Sequence, residues 1–277
     1  MVNIPFQTKI PDTRLRPYIK IYFGAHDLHA PLVQRIVPTG EMGLCFYRGE
    51  AVIYDGFGRR QSCLSGQCTH YQDIISSGNI DIVGVNFTTI GASAFFNLPL
   101  HELCDNVIPL DELYDKELTL IEERIASAQD YNACFDLLDN FFLKKLSTTQ
   151  VDLMNLRRLQ RAIAYGQRFV GNAHMEEIAS EACLSPRHFS RLFSELAGLT
   201  PKEYLRLLRY HKTLHDLKQR NQGTQGKEKN SITEIAWENG YYDFSHLSSE
   251  FRKITGYTPT QLLEISQNDN DSFGWRI

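Results

Sequence analysis

The stretch Glu177-Ile-Ala-Ser-Glu-Ala-Cys-Leu-Ser-Pro-Arg-His-Phe-Ser-Arg-Leu-Phe-Ser-Glu-Leu-Ala-Gly-Leu-Thr-Pro201 returns further along the chain. Its second copy is Glu234-Ile-Ala-Trp-Glu-Asn-Gly-Tyr-Tyr-Asp-Phe-Ser-His-Leu-Ser-Ser-Glu-Phe-Arg-Lys-Ile-Thr-Gly-Tyr-Thr-Pro259. The offset is 57 residues at Ile178/Ile235 and Ala179/Ala236, then 58 at His188/His246, Phe193/Phe251, Gly198/Gly256 and Pro201/Pro259. One extra residue therefore sits in the second copy's turn, at Tyr241-Tyr242. A repeat of this kind is one supersecondary unit used twice. Each copy reads as helix, tight turn, helix. In the first, Met175–Cys183 is a short helix, Ser185 an N-cap, and Pro186 takes the first helical position, where a missing N–H costs nothing. In the second, Gly240 ends the short helix and Asp243 caps the next. Phe189 and Phe193, four apart, form one apolar ridge, which leaves Arg187, Ser190 and Arg191 on the opposite side. This is the helix-turn-helix pattern, whose second helix enters a DNA major groove with its early residues near base edges. A plain helical-bundle repeat with a solvated polar face would explain one copy, but not two with matching caps, cores and Thr-Pro exits.

The chain has 277 residues, of which 42% are hydrophobic and 22% charged, so about two globular domains are expected and a mostly disordered chain is excluded. The net charge of −4 hides a split. Up to Met154 there are 12 Lys and Arg against 19 Asp and Glu, while Asn155–Ile265 holds 16 against 12. An acidic first part joined to a basic second part makes the second a candidate for an anionic partner. The opening residues lack the blocks of a signal peptide, and the uncharged run Ile82–Leu100 is too polar to cross a membrane. Six cysteines (45, 63, 68, 104, 134, 183) without a secretion signal read as reduced thiols in a cytoplasm.

Residues 15–88 read as β-rich, with strand-like runs at Tyr18–Phe23, Leu32–Val37, Gly43–Tyr47, Ala51–Tyr54 and Asn79–Phe87. Arg48-Gly49-Glu50 reads as a hairpin connection. Leu113–Ala126 and Tyr131–Leu146 carry helical apolar spacing through Leu118, Ile121, Ile125, Phe135, Leu138, Phe142 and Leu146. Part of that surface is expected to bury a second subunit and give a homodimer. Lys144–Gln150 reads as a linker. The expected fold class is α+β: a small β-rich barrel or sandwich with two trailing helices over residues 1–147, then an all-α domain over 152–267.

The second domain resembles the AraC family of bacterial transcription regulators. The resemblance covers Asn155–Ile265 and rests on Ser185-Pro-Arg-His-Phe-Ser-Arg-Leu-Phe193, Gly198-Leu-Thr-Pro201, Ile235-Ala-Trp-Glu-Asn-Gly-Tyr241, Phe251-Arg-Lys253 and Gly256-Tyr-Thr-Pro259. It implies two helix-turn-helix motifs joined by a long helix, here about Pro201–Lys218 and ~27 Å long. That is shorter than the ~34 Å between successive DNA turns, so the pair is expected to bend the duplex. By the same resemblance a monomer reads two adjacent boxes. Arg187 and Arg191 are placed for guanine and Ser190 for a lesser contact; Asp243, Phe244, Ser245 and Ser248 face the groove in the second motif. The sequence departs from the family in an insertion at Asn221–Asn230 and in Ser249, where the family often has Arg. The N-terminal half resembles, through Pro38-Thr-Gly-Glu-Met-Gly-Leu-Cys-Phe46 and Leu98-Pro-Leu-His-Glu-Leu103, the domain that precedes many of these regulators. By that analogy it is a sensor or dimerisation domain, cupin-like in its strands.

No nucleotide-binding loop, nucleophile elbow or zinc-protease helix is present, and no cofactor is expected. Gly56-Phe-Gly58 is a lone turn. Cys63, Cys68 and His70 are spaced too loosely for a strong metal site, and His26 and His29 lack the Glu of a cupin metal motif. The carboxylates Asp111, Glu112, Asp115, Glu117, Glu122 and Glu123 read as a solvated helix face. Tyr18, Tyr22, Phe23, Phe46, Tyr47, Tyr54 and Phe87 could line an effector pocket or simply pack a core. The expectation is a regulator and not an enzyme, with promoter DNA, RNA polymerase and a small effector as partners. The alternatives are a thiol- or metal-sensing regulator and an enzyme domain fused to an interaction module.

Overall fold

The computed structural model describes residues 6–27, 32–49, 52–54, 58–60, 62–76, 79–171, 173–222 and 231–268. Ten strands lead: β1 (Phe6–Lys9), β2 (Ile19–Asp27), β3 (Leu32–Ile36), β4 (Gly43–Tyr47), β5 (Val52–Tyr54), β6 (Gly58–Arg60), β7 (Cys63–Ser65), β8 (Gln72–Ser76), β9 (Ile80–Phe87) and β10 (Val107–Pro109). They form two antiparallel sheets, of order β1-β2-β9-β4-β7-β10 and β3-β8-β5-β6. Sheet side chains alternate between faces. Tyr22, Leu44, Phe46, Val83, Val85 and Phe87 point to one side, where the trailing helices cover them. Phe23, Cys45, Cys63 and Ile82 point to the other and meet Ile74 of the smaller sheet. The larger sheet is covered on both faces, which is why β4 and β9 are almost continuously apolar.

Two helices follow, α1 (Lys116–Ala126) and α2 (Tyr131–Ser147). The Asp115 carboxylate accepts from the backbone N–H groups of Glu117 and Leu118 to cap α1, and Asp130 accepts from Ala133 N–H to cap α2. Asp115 also pairs with Lys145, and Lys144 with Glu117, so those carboxylates do more than solvate a face. Then come α3 (Leu153–Arg168), α4 (Met175–Glu181), α5 (Pro186–Ala197), α6 (Pro201–Gln222), α7 (Ile232–Glu238), α8 (Phe244–Thr255) and α9 (Pro259–Asn268).

Several expectations change. Strands β4 and β5 lie in different sheets, so they do not pair as the expected hairpin. Lys144–Ser147 belongs to α2, whose helix carries through the expected linker. Leu118, Ile121, Ile125, Phe135 and Phe142 are all buried, at most 4% exposed, so this surface covers the chain's own β layers instead of a second subunit. Tyr22, Phe23, Phe46 and Phe87 are packed core, with Phe87 in edge contact with Phe96 and Phe142. The joining helix α6 has 22 residues and not eighteen, hence ~33 Å. That nearly matches one DNA turn, and the length argument for bending falls away. Glu50, Gly56, Phe57, His29 and residues 223–230 of the insertion lie outside the described residues.

The first core does not stop at residue 147. It runs from the larger sheet through Phe141, Leu156, Leu159 and Ile178 to Phe189, Phe193 and Tyr204. A separate core holds Leu207, Tyr210, Leu217, Ile235, Leu247, Phe251 and Ile254. The first helix-turn-helix unit is thus continuous with the β body, and the second has a core of its own.

Candidate nucleic-acid interface

In the first unit His174 N–H donates to the Glu177 carboxylate at 3.2 Å, which closes the start of α4. Leu184 N–H returns to the Ala179 carbonyl at 3.0 Å, with Cys183 in the left-handed region at φ 54°, making the turn tight. The Ser185 hydroxyl accepts from His188 N–H and Pro186 starts α5, as expected. Phe189 and Phe193 pack inward as a tilted pair, ring centres 5.6 Å apart, and Phe193 meets Tyr204 of α6 at 5.5 Å. Arg187 and Arg191 consequently point outward and are exposed, with Ser190 half-buried between them. Arg191 Nη1 lies 3.3 Å from Glu195 Oε1, an exposed pair one helical turn apart.

The second unit repeats these devices. Ser231 and Glu234 cap α7 reciprocally, and Asp243 Oδ1 accepts from His246 N–H at 2.7 Å to cap α8. One oxygen of the Asp243 carboxylate therefore serves the helix start. Gly198 and Gly256 end α5 and α8 at φ 81° and 79°, a conformation that favours glycine. The exits match as well: Thr200 with Glu203, and Thr258 with Gln261, exchange hydrogen bonds at the starts of α6 and α9.

The outer face of α8 is a shallow groove of about 490 Å³ lined by Phe244, Ser245, Ser248, Ser249, Arg252 and Lys253. Phe244 is 38% exposed. Trp237 and Tyr242 are exposed too, with the Trp237 indole N–H donating to the Tyr242 carbonyl at 3.1 Å. Sequence reasoning passed over Arg252, Lys253, Trp237 and Tyr242. The two cations stand one turn beyond Ser248 and Ser249 on the same helix, where the first copy has Ser194 and Glu195.

Arg206 of α6 pairs with Glu250 of α8, fastening the second unit to the joining helix. Burial pushes the Glu250 carboxyl up, but the Arg206 guanidinium, with Lys253, outweighs it and holds the group below its ordinary value. The cysteines look different. Burial raises both Cys68 and Cys104 to about 12, with Asp105 adding to the effect, so neither is a ready thiolate. Cys63 and Cys68 with His70 do not form a metal cluster among the described residues.

Residues 178–265 match a family described as a helix-turn-helix domain, and residues 7–109 match a domain family of unknown function (DUF6597). Among curated proteins, the HTH-type transcriptional activator RhaS of Klebsiella pneumoniae is 30% identical over 123 residues, 44% of this chain and 41% of that protein. The RhaS of Escherichia fergusonii is 32% identical over the same length. The chain thus spans about two fifths of the relatives it matches. Among solved structures, ToxT from Vibrio cholerae aligns with TM-score 0.44 and 12% identity, over 94% of this chain and 98% of that one. A regulator from Chromobacterium violaceum with an AraC-type DNA-binding domain aligns with TM-score 0.35 and 22% identity, over 41% of this chain and 96% of that one. With the repeated motif, its caps and the matched residues taken together, the chain carries a helix-turn-helix domain in its C-terminal part, over residues 178–265, similar to that of RhaS.

Proposed function

We propose that the chain is a sequence-specific DNA-binding transcription regulator whose two helix-turn-helix units read two adjacent boxes of one promoter site. The observation that carries this reading is the pair of equivalent capped helices, α5 and α8, joined through one 22-residue helix and each presenting an exposed polar face. Lys and Arg neutralise phosphates and supply most of the affinity. Arg187 and Arg191 reach guanine edges, and Ser190 makes a shorter contact. In the second unit Phe244 offers apolar contact to a thymine methyl, Ser245 and Ser248 offer hydroxyls, and Arg252 and Lys253 hold the backbone. Asp243 acts by starting α8.

In this reading residues 152–267 bind DNA and residues 1–147 sense a small effector in the cytoplasm. The shared core supports transmission between them, because a change in the β body bears directly on α5. At the promoter the bound chain acts on RNA polymerase. A homodimer would have to use a surface other than the buried α1–α2 face. The raised thiols of Cys68 and Cys104 favour a small-ligand effector over a thiol sensor. The test is to pass sheared genomic DNA over the purified full chain and sequence what it retains. Recovery of a shared two-box motif supports the function; retention of fragments without any common motif refutes it.

A further inference from the structure

The two reading units are tied to the β body in different ways. The first shares its apolar core; the second has a separate core, against which Cys104 packs, and meets the smaller sheet at Arg35. Arg35 on β3 donates from Nε and Nη2 to the two carboxylate oxygens of Asp73, its partner across the sheet on β8, at 2.8 Å each. This fork fixes the plane of the guanidinium. The same group lies 4.0 Å from the centre of the Tyr71 ring and 4.8 Å from that of Tyr257. Its remaining nitrogen, Nη1, donates to the Thr255 carbonyl at 3.3 Å. Thr255 is the last residue of α8 and Tyr257 lies just beyond it. A helix C-terminus carries partial negative charge, so a cation there is favourable. Gly256 makes the approach feasible: a Cβ at that position would stand 2.5 Å from Arg35 Nη1 and 2.9 Å from the Tyr71 ring.

From this clamp of Arg35 between Asp73, Tyr71, Tyr257 and the α8 terminus, we infer that Arg35 is a positioning residue that sets the DNA-box spacing the chain accepts. The inference rests on the proposed two-box reading. Its physical basis is leverage. Long helices bend gently. α8 meets the joining helix at Arg206 and Tyr210, ~8–14 Å from its start, so a swing of ~14° shifts that contact by ~3.4 Å, the rise of one base pair. The joining helix is itself tied to the β body near its middle, where His211 Nε2 lies 2.9 Å from the Pro38 carbonyl, which leaves a residual tilt of α8 about that region. Arg35 removes it by referring α8 to the same sheet body that already holds α5. Planarity, charge and stacking are all used, so lysine is no substitute.

The experiment takes the boxes selected by the wild-type full chain, keeps their sequences fixed, and varies the spacer one base pair at a time. Wild type should prefer one spacer. Arg35→Ala and Arg35→Lys should lose that preference relative to its neighbours by about fivefold, the weight of one near-surface cation–π contact, and keep the same base preference within each box. Tyr71→Ala, which spares the Arg35–Asp73 pair, should give an intermediate loss. A folded Arg35→Lys chain with the wild-type spacer profile overturns the inference, as does a loss of affinity equal at every spacer. If wild type itself shows no box preference, the DNA-reading function falls and takes the spacing role with it. An unchanged profile in the variants sinks the clamp alone.

Discussion

Replacing Arg191 by alanine tests whether the two units read DNA unequally. Arg191 stands on the exposed side of α5, one turn after Arg187, and its side chain is 66% exposed. A bidentate arginine–guanine contact discriminates by about 1–3 kcal/mol. Against this stands the pair with Glu195 at 3.3 Å, which the arginine must leave to reach a base. An exposed pair at this spacing is worth about 0.3–0.5 kcal/mol. The net loss on truncation is then about 0.5–2.7 kcal/mol, or roughly 2- to 100-fold in preference for one base, with the lower end expected if Arg187 takes over. The matching position on α8 is Ser249, exposed but short and uncharged. Its hydroxyl lacks the arginine fork and its reach, so Ser249→Ala should alter preference less than twofold, about 0.4 kcal/mol. The assay is a binding selection on randomised duplexes with each single variant, at one fixed salt concentration. Loss of preference in the box read by Ser249→Ala, with Arg191→Ala neutral, would show the dominant reader to be the other helix.

Asp243→Ala removes the α8 cap and should lower stability by about 1 kcal/mol in thermal unfolding, with base preference in the second box unchanged once binding is measured well below the transition. Leu118→Ala empties a fully buried site in the chain's own core; it should cost about 2–5 kcal/mol and leave the sedimentation coefficient of the folded protein where it was. The Glu250 carboxyl is held below its ordinary value by Arg206 and Lys253 against the upward push of burial. Its stabilisation is therefore fully present above the unfolded-state pKa and disappears as pH falls through the lower, folded-state value. Glu250→Gln should accordingly reduce stability at neutral pH and flatten the acid limb of a stability–pH curve, whereas a parallel curve would count against the pairing.

The helical part was legible because its signals are local. Ser185, Pro186, Gly198 and Gly256 each fix a cap or an exit within a few residues, and all four act as the repeat suggested. Asp243 likewise caps α8 as the repeat suggested, accepting from His246 N–H. The β half was less legible because pairing is a long-range property. Strands β4 and β9 announced themselves by apolar runs, yet β4 and β5, neighbours in sequence, joined different sheets. Periodicity identified the buried stripe of α1 and α2 but could not name its cover, which is the chain's own sheet. Arg35 gave no signal at all. Its partners Asp73 and Thr255 lie 38 and 220 residues away, beyond any local pattern.

Sequence-specific duplex binding by two linked units can be read out by titrating the full chain against its selected two-box duplex and a scrambled duplex across a salt series. The account predicts that the selected site binds at least about 10³ tighter than the scrambled one at physiological salt, and that the logarithm of each affinity falls linearly with the logarithm of salt concentration as counterions are released. Equal affinity for the two duplexes, or binding indifferent to salt, would contradict it.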